Sequence, residues 1–131
     1  LVFGPNIFAD DTNANFQSAK IEDAVLTLSS KGYYGDLRFH IFNNSLDKLT
    51  ILEVTGAGNE RSTIMARLDN VNYADLGSIT LLSEESLDLT TSHIFIRLFD
   101  IEEPLKAGQT VKLRLILSTG EIPFSAHVKR Y

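Results

Sequence analysis

An alternation of apolar and polar residues with a period of two, broken at short intervals by turn-forming clusters, limits this chain to strands. In 21–28, Ala24, Leu26 and Leu28 fall on one side and Val25 on the other. In 37–42, Leu37, Phe39 and Ile41 alternate with Arg38, His40 and Phe42. The run 49–55 sets Leu52 and Val54 on one face, and 62–68 sets Ile64, Ala66 and Leu68 opposite Thr63, Met65 and Arg67. In 93–99, Ile94, Ile96 and Leu98 take the expected core side, opposite His93, Phe95, Arg97 and Phe99. Short strands are expected between 72 and 89, and longer ones at 110–117 and 122–129. Turns fall at 29–32, 43–45, 56–59 and 118–121, and Asp69-Asn70 has the form of a hairpin tip, because both residue types tolerate positive φ. No window sustains a helical pattern beyond a turn near 13–19 or 84–85. The expectation is an all-β fold, a Greek-key antiparallel β-sandwich of about nine short strands.

A chain of 131 residues holds one core of this kind, expected over 20–131, behind a flexible lead-in over 1–19 rich in Asn, Asp, Ala and Thr. With 44% hydrophobic and 22% charged residues it needs no ligand to fold. The net charge of −5 and the scatter of its basic residues argue against nucleic acid and anionic lipid as partners. The absence of cysteine removes disulfides, thiol nucleophiles and Cys-ligated metals. No apolar run reaches the length of a membrane span. The sequence opens with Leu1-Val2-Phe3 and lacks an initiator Met, so a cleaved export signal or an anchor upstream is expected.

Catalytic motifs are missing. Gly56-Ala57-Gly58 lacks the third glycine and the helix of a phosphate loop, and no Ser stands in a nucleophile elbow. Adjacent acids at 84–85 and 102–103 point apart in extended chain. An enzyme is therefore not expected. Asn43-Asn44-Ser45 fits the glycosylation acceptor pattern and, more simply, a turn. His40 and His127 have the setting of half-exposed strand residues. Met65 and His93 both face away from the expected core. A thioether and an imidazole suit monovalent copper, although the simpler reading of Met65 is a gap-filler in a minor apolar cluster.

The stretch 87–99, followed by Glu103-Pro104-Leu105-Lys106-Ala107-Gly108-Gln109-Thr110-Val111, resembles the periplasmic copper chaperones of the PCu(A)C family. Those have a strand carrying His-x-Met, then "EPLKEGDTV" and two closing strands. The likeness extends over roughly 20–129. The resemblance implies a cupredoxin-like sandwich that binds Cu(I) and hands it to the copper centre of cytochrome oxidase in the periplasm. Of the family's two His and two Met ligands, His93 matches the second histidine, and Met65 falls near the place of the first. Phe95 replaces the Met two residues after His93, and 69–76 has no Met. The resemblance thus implies a degenerate metal site of His93 and Met65, a copper-accepting oxidase subunit or other envelope protein as partner, and a periplasmic or otherwise exported location. The alternative is a metal-free structural or interaction module on the same scaffold, with Phe95 and Phe99 as an aromatic contact surface.

Overall fold

The computed structural model describes residues 18–59 and 61–131. Among them ten strands follow the alternating segments: β1 (Ala19–Leu28), β2 (Gly35–Asn43), β3 (Leu49–Thr55), β4 (Arg61–Arg67), β5 (Tyr73–Asp75), β6 (Ile79–Leu81), β7 (Ser86–Asp88), β8 (Ile94–Phe99), β9 (Thr110–Leu117) and β10 (Gly120–Arg130). The chain is all-β as expected, with one strand more than the approximate count. The expected lead-in lies outside the described residues except for Ser18 and Ala19, and Ala19 already opens β1. No helix among the described residues is long and apolar enough to cross a membrane.

Hydrogen bonds join the strands in one curled path, β5-β4-β8-β2-β1-β10-β9-β3-β6, with β7 attached to β2. The curl brings β3 against β4 and β8 across the core. Every pairing is antiparallel except β1 with β10, where Val25 stands opposite His127 and Leu28 opposite Arg130. This departs from the wholly antiparallel expectation for a physical reason. An open β1 edge would expose a row of unpaired backbone groups, and β10, its direction fixed by the hairpin with β9, closes that edge.

Two bulges keep the apolar face inward. Ala19 is buried and Ile21 half-buried on odd positions of β1, whereas Ala24, Leu26 and Leu28 are buried on even ones. The register shift between Glu22 and Val25, with Asp23 at φ 55°, makes the switch. The same device in β3, between Ile51 and Glu53, changes burial from Leu49 and Ile51 to Val54. Leu52, expected beside Val54, is consequently 40% exposed. The core between the halves includes Leu26, Leu37, Phe39, Ile51, Ile64, Ile96, Leu98, Leu113 and Leu115. Each such side chain contributes about 1.5–3 kcal/mol by burial.

The turns hold by particular contacts. Asn43 is fully buried; its amide nitrogen donates to the carbonyls of Asp47, Leu81 and Leu82, and its oxygen accepts from the Ser45 amide and hydroxyl. A side chain committed in this way serves the turn and is closed to glycosylation. The tip at 68–72 does not use positive φ. Instead the Asp69 carboxylate accepts from the Val71 and Asn72 amides and the Asn72 side chain, and these bonds lower its pKa below the usual value. At 84–85 there is a turn with Glu84 at φ 63°, not a helix.

Candidate metal centre

Met65 lies on β4, and His93 lies in the bend immediately before β8. Met65 pairs with Phe95 on one side and Asp75 on the other, and Thr63 pairs with Arg97. The Arg67 amide donates to the His93 carbonyl at 2.8 Å, which sets His93 opposite Arg67. Paired side chains of antiparallel strands share a face, so Met65 and His93 are diagonal neighbours. Such neighbours have Cα atoms about 7–8 Å apart, within reach of long side chains. Met65 is half-buried and His93 exposed, and no described residue hydrogen-bonds the His93 imidazole. Among the described residues no group of three or more His, Cys, Asp or Glu gathers in a form that could hold a metal. Of the residues selected from the sequence, this region offers one thioether and one imidazole, residue types that suit a soft monovalent ion.

Phe95 fills the space beside this pair. It is only 1% exposed, yet it lies outside the main core, on the outer face. What covers it is aromatic and cationic. The Tyr73 ring, carried by β5, reaches across β4 and meets Phe95 edge-on at 5.9 Å. The Arg38 guanidinium lies 5.2 Å from the Phe95 centroid and that of Arg97 5.3 Å. Arg97 also lies 4.4 Å from the Tyr34 centroid and 5.5 Å from that of Tyr73. Such contacts contribute about 0.5–2 kcal/mol each where water is excluded. Phe95 is thus an internal residue of a second, smaller cluster and cannot serve as the contact surface expected of it. Phe99 is half-buried with the Arg61 guanidinium 3.8 Å above its ring.

An ion pair anchors the cluster. Asp36 is buried and accepts two hydrogen bonds from Arg97, at 2.7 and 3.0 Å. These bonds to Asp36 raise the Arg97 pKa against the opposing effect of burial. The Tyr131 hydroxyl donates at 3.2 Å to Asp36 Oδ2, which also accepts from Arg97 Nη2. Desolvation first, and then the Asp36 charge, raise the Tyr131 pKa.

The remaining histidines stand apart from this face or at its margin. His40 is half-buried, paired with Asp88 and 3.9 Å from Glu22; His127 is exposed on β10. Sequence reasoning missed Arg38, whose Nη1 donates to the carbonyls of Leu89, Ser92 and Ile94. Its alternation with His40 and Phe42 placed it on an outer face but gave no sign of the loop it would meet.

No family model matches the sequence, and no curated protein matches it. Solved structures do. The copper-bound PCuAC domain from PmoF2 superposes with a TM-score of 0.74 at 18% identity, over 87% of this chain and 94% of that one. The apo PmoF2 PCuAC domain gives 0.72 at 19%, over 86% and 90%. The solution structure of CuI-DR1885 from Deinococcus radiodurans gives 0.55 at 17%, over 88% and 83%. The chain has the fold of the PCuAC domains, an all-β, cupredoxin-like architecture.

Proposed function

We propose that this protein is a copper carrier that holds Cu(I) between Met65 and His93. The observation that supports it most is the pairing of Met65 with Phe95, together with the Arg67 amide bond to the His93 carbonyl, which bring the two backbone positions close. The likeness to PCuAC domains solved with copper supports the reading. An ion held by two protein donors keeps positions open for the ligands of an acceptor, so it leaves by ligand exchange and not by unfolding of the carrier. In this reading the protein acts outside the cytoplasm, in the periplasm or otherwise exported. It delivers Cu(I) to a copper-accepting oxidase subunit or another envelope protein, and it performs no catalysis.

The test is a Cu(I) titration under reducing conditions against a weak chelator. Stoichiometric competition by the wild type, abolished in His93→Ala and weakened at least tenfold in Met65→Leu, is the expected result; tenfold corresponds to about 1.4 kcal/mol. A wild type that leaves the chelator loaded would discard the carrier.

The burial of Phe95 where the resembling family has Met favours a second reading, a metal-free envelope module on the same scaffold. That module would bind its partner equally with and without a copper chelator. Binding that a chelator abolishes would exclude it.

A further inference from the structure

We infer that Arg38 is a positioning residue for His93, tying down the loop that presents the imidazole beside Met65. The inference rests on the reading of Met65 and His93 as copper donors.

Residues 89–93 link β7 to β8. Thr90, Thr91 and His93 are exposed, and the imidazole has no hydrogen-bond partner among the described residues. What the fold holds at this position is therefore the loop backbone that carries the imidazole. The Leu89 amide donates to the Phe39 carbonyl at 2.8 Å, and the Ser92 hydroxyl accepts from the Ile94 amide at 2.8 Å. Arg38 supplies the main tie. Its Nη1 donates to the carbonyls of Leu89 at 2.9 Å, Ser92 at 2.8 Å and Ile94 at 3.2 Å, so it grips the chain on both sides of His93. The His93 carbonyl is held by the Arg67 amide, on the strand that carries Met65. The two arginines thus bracket three successive peptide units and fix the histidine relative to the methionine.

Bonds from a charged donor are stronger than neutral ones. A planar guanidinium can also lie over the Phe95 ring while it makes them, which an ammonium group does less well. With only two donors, little binding free energy is available to order a loose loop at the moment of binding, so prior order raises affinity directly.

The test uses the full chain. Arg38→Met keeps an unbranched stem over Phe95 and removes every donor; Arg38→Lys keeps a charge and one nitrogen; Val54→Ala destabilises the opposite half as a control. Chelator competition gives Cu(I) affinity, and amide hydrogen exchange reads the order of 89–94. Arg38→Met should bind Cu(I) about 10–100-fold more weakly, as supporting residues at metal sites do. Its Ser92–Ile94 amides should exchange faster, with Arg38→Lys intermediate and Val54→Ala binding as wild type. Should Arg38→Met fail to fold, Arg38→Lys carries the same comparison. Wild-type affinity in the Arg38 variants, or an equal loss in Val54→Ala, overturns the positioning role while leaving the donors intact. A wild type without Cu(I) affinity overturns both this role and the reading beneath it.

Discussion

On β9 and β10 the outward positions Lys112, Arg114, Glu121, Ser125 and Lys129 stand in solvent, whereas on β8 the outward Phe95 is buried under Tyr73, Arg38 and Arg97. The first face is an ordinary solvated surface whose Arg114–Glu121 pair, at 3.9 Å and half in water, adds little. The second is a small cluster outside the main core, built from Phe95, Tyr73 and two guanidinium groups. The contrast teaches that alternation assigns a side chain to a face but not to a depth. Depth depends on what the neighbouring strands bring over it.

Substitutions across the two faces can break this contrast. Phe95→Ala should cost about 3–5 kcal/mol in urea unfolding, as for other buried aromatic truncations, while Lys112→Ala should stay within about 0.5 kcal/mol. Equal effects would mean that the outer cluster carries no stability. Arg97→Met comes next. It strands the buried Asp36 carboxylate and should cost about 3 kcal/mol, the low end for such a pair because the guanidinium is partly exposed. Adding Asp36→Asn should return part of that loss, and a purely additive double variant would show that the pair is not coupled.

The smallest effect is a pH dependence. The folded Tyr131 pKa lies above its ordinary 10.0, so the folded state binds the phenolic proton more tightly than the unfolded one. Its contribution is complete below pH 10 and is lost as pH rises through the folded value. Ultraviolet titration should find a late-ionising step that is absent in Tyr131→Phe.

Much of the fold was legible because β1, β2, β9 and β10 each bury one face against a continuous core. Leu26, Leu37 and Phe39 follow from period two alone. The bulges in β1 and β3 were not legible, because an extra residue is defined only against a partner strand. Leu52 was misplaced for that reason. The 87–111 stretch pointed to the scaffold that the solved structures display. The depth of Phe95 was hidden, since Arg38 and Tyr73 come from distant parts of the chain. The Arg38 contacts with Leu89, Ser92 and Ile94 span more than fifty residues and leave no local pattern.

The proposed carrier holds its ion through the Met65 thioether and the His93 imidazole. X-ray absorption at the copper edge of the Cu(I)-loaded protein tests it most directly. The expected spectrum shows one sulfur and one nitrogen neighbour, with the sulfur lost in Met65→Leu and the nitrogen lost in His93→Ala. A copper spectrum without sulfur, or one that neither substitution changes, would contradict it.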